Sequence, residues 1–237
     1  MNARERQGDG ELLLALVDAD ESAQKVLIGL LESAKLRLNA KLRVKKFSSA
    51  EELLDNCELS DLACIVTEVN LPGLNGLELQ ELVADRSPHT TLVFISENAD
   101  TTVAVSAIKN GALDFLRKPI SAGLFTSTIQ QAIARSTELR LWRDQRQSVL
   151  QEFQQLTKRE REVLALMLLG MRNKQIAAEL NVAVKTIKIH RGRVMAKMNV
   201  PSFADLMNKA SVLDIAAGRL SDGLPGIANF YFRNRFA

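Results

Sequence analysis

Two rhythms of apolar and polar residues organise the first half of the chain. After ten polar residues that read as a disordered terminus, ELLLALVDAD is a short apolar run ending in acids. Such a run is expected of a buried parallel strand that delivers carboxylates to its C-terminal edge. A helix is predicted at about Ser22 to Ser33, with Val26, Leu27, Leu30 and Leu31 on one face. The runs Leu42 to Phe47, Leu62 to Thr67, Thr91 to Ile95 and Asp114 to Leu116 read as further strands. Helical patterns separate them at about Ser49 to Asn56, Gly76 to Ala84 and Thr101 to Asn110. Five strands alternating with helices predict an α/β doubly wound five-stranded parallel sheet, whose functional site belongs at the carboxyl ends of the strands. Those ends carry Asp18, Asp20, Glu68, Ser96 and Lys118.

The rhythm then changes. From Leu124 to Leu169 no Gly or Pro interrupts a helical pattern, so the last helix of the first domain is expected to run on into a linker. Leu139, Trp142, Arg146, Val149, Phe153 and Leu156 alternate spacings of three and four, the seam of a short coiled coil. The equal alternative is that Trp142 and Phe153 pack on their own domains. A shorter amphipathic segment, Asn173 to Leu180, turns Ile176, Ala177 and Leu180 inward. It precedes a helix starting at Val184. On that helix Val184, Ile187, Val194, Met195 and Met198 share one face, while Lys185, Ile189, Gly192 and Arg193 face away, flanked by Thr186 and Lys188. A helix cationic outside and apolar inside, preceded by a short partner, fits a DNA major groove. Arg191 falls inside the apolar stripe and is expected to pair with Glu160 or Glu162, because an unpaired buried charge is costly.

Charge sharpens this division. Residues 1–120 hold 13 Lys+Arg and 19 Asp+Glu, and residues 121–237 hold 18 and 9. An acidic half joined to a basic half assigns nucleic-acid contact to the second. The absence of a membrane-length apolar run and of a signal-peptide core at the N-terminus predicts a cytoplasmic protein, with Cys57 and Cys64 as reduced packing residues. No GxSxG, P-loop or metal-ligand cluster is present, and His89 and His190 lack catalytic company, so no enzyme is expected.

The stretch LTKREREVLALMLLGMRNKQIAAELNVAVKTIKIHRGRVMAKM, Leu156 to Met198, resembles the C-terminal domain of FixJ/NarL (LuxR-type) response regulators, its HRGRVM run being similar to the FixJ branch. The resemblance implies an all-α four-helix helix-turn-helix domain over 157–217 that binds DNA as a dimer. Lys174 would hold phosphate, and Lys185, Thr186, Lys188, Ile189, Gly192 and Arg193 would meet the groove. Ala183 departs from the Ser that often caps the recognition helix, and the loss of such a cap costs about 1 kcal/mol. VDADE, TEVNLPGLNGLEL, FISENAD and GALDFLRKP resemble receiver-domain motifs, implying a receiver-like, flavodoxin-like domain over 11–121 and a helical linker over 122–156.

Within that resemblance the phosphorylated aspartate falls on Glu68, the direct Mg²⁺ ligand on Ala19, and the switch pair on Ser96 and Phe115. A glutamate in place of the acceptor and an alanine in place of a ligand oxygen make Mg²⁺ binding doubtful and predict a pseudo-receiver. Glu68 either stands in for a phosphoryl group, pairing with Lys118 and attracting Ser96, or merely satisfies Lys118 in a fixed dimerisation block. The expected function is a sequence-specific, phosphorylation-independent transcription regulator. Its partners would be promoter DNA, a second copy of the chain, and RNA polymerase or a histidine kinase. The alternative is an adaptor that uses the receiver to bind a kinase or another regulator. Two features lie outside the resemblance: a basic insertion with Lys35, Arg37, Lys41, Arg43, Lys45 and Lys46, and an aromatic tail over 218–237 that is either a loose extension or docks on another domain or partner.

Overall fold

Glu11–Val17 forms β1, the apolar run the sequence marks, and Glu21–Leu38 forms α1, one and a half turns longer than predicted. The computed structural model describes residues 11–38, 41–97 and 100–216. The predicted terminal segments 1–10 and 218–237, and the side chains of Lys35 and Arg37, lie outside the described residues. The chain divides into two compact units after Arg140.

In the first unit β2 (Lys41–Phe47), β3 (Leu62–Glu68), β4 (Thr91–Ser96) and β5 (Asp114–Arg117) join β1 in a wholly parallel sheet of order β2-β1-β3-β4-β5. Helices α2 (Ala50–Asn56), α3 (Gly76–Arg86) and α4 (Thr101–Lys109) cover one face, where Ala15, Val17, Leu53, Leu79, Phe94 and Ala107 form a buried core. α1 and α5 (Ala122–Gln154) cover the other, burying Leu14, Leu16, Leu27, Leu31, Phe125 and Ile129. The alternation of odd and even strand residues between the two cores is the period-2 geometry of a strand buried on both faces.

Local chemistry starts the helices. Ser49 and Asp100 cap α2 and α4 by accepting from the amides of Glu52 and Thr102. Asn75 and Glu78 close a capping box on α3. A short 3₁₀ turn at Leu59–Asp61, not anticipated from the sequence, leads into β3. The predicted inner face of α1 needs correction, because Val26 is 65% exposed. Gln24 is buried in its neighbourhood, its amide donating to the carbonyls of Asp18 at 2.6 Å and Phe47 at 3.0 Å. A polar residue wins that position because the carboxyl ends of β1 and β2 leave two carbonyls to satisfy.

The second unit contains the end of α5 together with α6 (Lys158–Leu168), α7 (Asn173–Glu179), α8 (Val184–Lys197) and α9 (Phe203–Ala216). Thr157 and Glu160 form a capping box that begins α6. α6, α7 and α8 end in the same way: Gly170, Asn181 and Asn199 adopt positive φ of 76°, 51° and 47°. The next residues, Met171, Val182 and Val200, then donate to Leu166, Ala177 and Met195. This is the Schellman stop, and Gly or Asn is favoured there because other side chains resist left-handed backbone. The core collects Val163, Leu164, Met167, Ile176, Ile187, Val194, Met198 and Leu206. Val149, Phe153 and Leu156, half of the predicted coiled-coil seam, pack into this core, whereas Trp142 and Leu141 are 50% and 60% exposed. Phe153 follows the alternative reading of the seam and Trp142 does not.

Candidate functional site

β1 is flanked by β2 on one side and β3 on the other, so its carboxyl end and that of β3 open the sheet's switch point. Val17 hands the chain to Asp18 there, and β3 ends on Glu68. The amide of Lys118 donates to the carbonyl of Ser96 at 2.9 Å, which sets the lysine beside the end of β4, and its peptide bond to Pro119 is cis. Lys118 Nζ donates to Asp18 Oδ2 at 2.7 Å and Glu68 Oε2 at 2.9 Å. Three predicted residues thus meet in one ion triad, with side chains 15%, 5% and 11% exposed for lysine, aspartate and glutamate.

Burial works against the charge of Lys118, but its hydrogen bonds to Asp18 and Glu68 and their negative charges outweigh that, holding the ammonium above the ordinary lysine range. The second oxygen of each carboxylate is also engaged. Asp18 Oδ1 accepts from the amide of Asp20 and Glu68 Oε1 from that of Val69, both at 2.9 Å. Asp20 is exposed and accepts from the amide of Ser22, as a residue capping α1 does.

The switch pair divides. Ser96 is buried, yet its hydroxyl has no hydrogen-bond partner among the described residues, so it has not been drawn onto Glu68. Phe115 is half-buried, its ring centroid 5.9 Å from that of Phe94. The donor set does not suit a hard divalent cation. Ala19 offers no side-chain oxygen, Asp18 and Glu68 are committed to Lys118, and no three His, Cys, Asp or Glu converge among the described residues.

Sequence reasoning passed over the loop after Glu68. Glu51 of α2 accepts from the amide of Leu74 at 2.7 Å, and that bond is the largest of the causes holding its carboxyl below the usual range. Gly76 opens α3 where an added Cβ would lie 2.5 Å from the carbonyl oxygen of Glu68, so the loop closes tightly under the acidic residue. A glycine eight residues beyond a strand end was the available signal.

In the second unit α8 presents Lys185, Lys188, Ile189, Gly192 and Arg193 as an exposed face, with Thr186 half-buried at its edge. Ile189 is 49% exposed, a large apolar residue amid cations. Lys174 stands exposed in the first turn of α7. Lys174, Lys185, Lys188 and Arg193 make no ion pair with another described residue. Ala183 starts α8 with no side-chain cap, as expected.

Two expectations for α8 need correction. Val184 is 36% exposed, because the buried arc centres on Ile187, Val194 and Met198. Arg191 pairs with neither glutamate. Glu160, 2% exposed, takes Lys197 at 2.7 Å, and Glu162 takes Arg159 at 2.7 Å. Arg191 instead lines a shallow cavity with Met171, Arg172 and Phe203.

A receiver-type sheet with an acid-lysine pocket, and a helical unit with an exposed cationic recognition helix, define a response regulator that binds DNA. Comparison with known proteins is specific on both counts. Residues 14–130 match the response regulator receiver domain, and residues 154–210 match the bacterial regulatory proteins of the luxR family. The chain is 33% identical over 201 residues to the transcriptional regulatory protein FixJ of Azorhizobium caulinodans, covering 85% of this chain and 92% of that one. It is 35% identical over 205 residues to nodulation protein W of Bradyrhizobium diazoefficiens, covering 86% and 88%. The solved structure of the response regulator StyR superimposes with a TM-score of 0.74 at 35% identity, over 85% of this chain and 98% of that one. The chain belongs to the LuxR-type response regulators of FixJ type, DNA-binding transcription regulators of two-component systems. No described helix is long and apolar enough to cross a membrane.

Proposed function

We propose that this chain is a sequence-specific transcription regulator that works on promoter DNA as a homodimer without being phosphorylated, Glu68 supplying permanently the negative charge that the family's aspartate acquires. One observation carries the reading: Lys118 Nζ already bonds Glu68 at 2.9 Å and Asp18 at 2.7 Å, so the lysine has its counter-charge without an added group. The buried Ser96 hydroxyl, without a partner among the described residues, is the donor left over, and activation consists of its turning onto Glu68.

On DNA, two α8 helices enter successive major grooves. Lys185, Lys188, Ile189 and Arg193 meet base edges or flanking phosphates, Lys174 holds a phosphate, and Gly192 admits the backbone closely. Trp142, half exposed, together with the half-buried Leu139 is what the linker has left to pair with a second copy, since Val149 and Phe153 serve the core of the second unit. RNA polymerase is the partner such a dimer would engage at a promoter.

The test is DNA affinity and solution mass for wild type, Glu68→Ala and Glu68→Asp, with and without a small phosphodonor and Mg²⁺. The proposal requires that wild type bind DNA as a dimer regardless of phosphodonor and that Glu68→Ala lose both properties. Identical behaviour of all three proteins makes Glu68 a passive partner of Lys118.

A further inference from the structure

The cations of the first unit are segregated. Residues 33–50 carry Lys35, Arg37, Lys41, Arg43, Lys45 and Lys46 and no carboxylate, while the rest of residues 1–120 has seven cations against all 19 acids. Four of the six stand on β2, the outer strand of the sheet on the side away from β5. Lys41, Arg43 and Lys46 are exposed, and Lys45 is half-buried.

Arg43 has a partner of its own, but among the described residues neighbouring acids form no ion pair with Lys41, Lys45 or Lys46. Glu11 faces Lys41 in the β1–β2 register without forming an ion pair, and Asp55 of α2 pairs with none of the β2 lysines. Glu51 and Glu52 commit oxygens to the amides of Leu74 and Ser48. Lys45 Nζ lies 3.7 Å from Cys57 Sγ, a weak acceptor without charge. The apolar residues of β2 turn inward, Leu42 and Phe47 buried and Val44 half-buried, so the strand offers no large exposed apolar side chain.

That combination selects the partner. A protein interface is built around an apolar, aromatic-rich centre, which this strand lacks. Duplex DNA is bound through polar, strongly cationic surfaces, and its phosphates are recognised without regard to sequence. We propose that β2 is a second DNA-contacting surface of the chain: Lys41, Lys45 and Lys46 bind backbone phosphates of duplex DNA, adding affinity without sequence preference.

The experiment measures binding of the full-length protein to a long mixed-sequence duplex across about 50 to 200 mM salt. The Lys41→Gln/Lys45→Gln/Lys46→Gln variant is compared with wild type and with Lys25→Gln/Arg86→Gln/Lys109→Gln, which removes equal charge from exposed sites elsewhere. The β2 variant is expected to flatten the slope of log affinity against log salt by about 2.7, each of the three phosphate contacts being worth about 0.9, while the control keeps the wild-type slope. An unchanged slope overturns the proposal, and so does an equal loss in both variants, which net charge alone would explain. Binding of polyglutamate by wild type but not by the β2 variant, with DNA affinity unchanged, makes the surface an acidic-protein site and likewise overturns it.

Discussion

Lys118 Nζ bonds Glu68 Oε2 at 2.9 Å, and the glutamate can fill this place because its extra methylene carries a carboxylate out to the lysine that a receiver pocket reserves for its acceptor. The same ammonium neutralises Asp18 at 2.7 Å, so one cation serves two largely buried carboxylates. Lys118→Met leaves both acids uncompensated and is expected to cost about 3 kcal/mol at neutral pH, as breaking a buried pair does. Urea unfolding at neutral pH checks this, and an unchanged midpoint would deny the neutralising role. Because the folded state raises the lysine's pKa, its stabilisation is complete below the ordinary lysine range and disappears as pH climbs through the folded value. Wild type should therefore lose its advantage over Lys118→Met at strongly alkaline pH.

Glu160 serves two elements. It closes the capping box of α6 by accepting from the amide of Thr157 at 2.9 Å, and it receives Lys197 from the last turn of α8 at 2.7 Å. Burial pushes its pKa up, but the bonds from Lys197 and Thr157 prevail and hold it below the usual glutamate range. A depressed folded pKa means stability that is present above the ordinary value and fades as pH falls through the lower folded one. Glu160→Ala should lower the stability of the second unit by about 1 to 2 kcal/mol at neutral pH, the cost of the lost cap and charge-assisted bond, since the stranded Lys197 is 34% exposed and can be solvated. The difference from wild type should close in acid, as thermal denaturation across that range will record.

Much of this fold was legible in the sequence because burial on both faces writes strands as apolar runs and helical faces at spacings of three and four. Four of the five strands fell within a residue of their predicted ends, the first stopping at Val17 before the acids that close its apolar run, and Asp18, Glu68 and Lys118 met at the strand ends. What the pattern concealed was competition among polar groups. Arg191 lost both expected partners because Lys197 and Arg159 reach Glu160 and Glu162, and spacing on one helix does not reveal which helix supplies the nearest cation. Val26 looked apolar enough for the core, while Gln24 entered it to satisfy two carbonyls. The seam along α5 was equally ambiguous, since a three-four spacing describes a helix packing on its own unit as well as on a second copy.

That ambiguity is open to measurement. Val149 is 4% exposed in the core of the second unit, whereas Trp142 is 50% exposed. Val149→Ala should cost about 1 to 2 kcal/mol of stability, within the range for deleting buried methyl groups, at unchanged oligomeric mass. Trp142→Ala should leave stability within about 0.5 kcal/mol, as surface substitutions do, and weaken self-association in sedimentation. A destabilised Trp142→Ala that still dimerises would place the pairing surface elsewhere.

Lys188 and Arg193 share the exposed face of α8 without internal ion pairs, so their removal should leave the fold intact. If Lys188 contacts a base edge, Lys188→Ala should cost about 1 to 3 kcal/mol on the preferred sequence and flatten discrimination among base substitutions. If it holds a phosphate, all sequences should weaken alike and the salt slope should drop by about 1. Selection from a randomised duplex pool, read against salt titrations, separates the two.

Gly192 sets stability against function at a single atom. It lies mid-helix in α8, exposed, with nothing within 4 Å of an added Cβ. By conformational entropy alone Gly192→Ala should stabilise the second unit by roughly 0.5 to 1 kcal/mol. The fold therefore gives no reason for the glycine, and the proposed close approach of the α8 backbone to DNA would supply one, since a methyl group there would then meet the groove wall. The variant should melt higher and bind promoter DNA more weakly, a combination that a destabilised helix cannot produce. Higher melting with unchanged affinity would mean that α8 leaves this position clear of the DNA and that Lys188 and Ile189 lie deeper in the groove than residue 192.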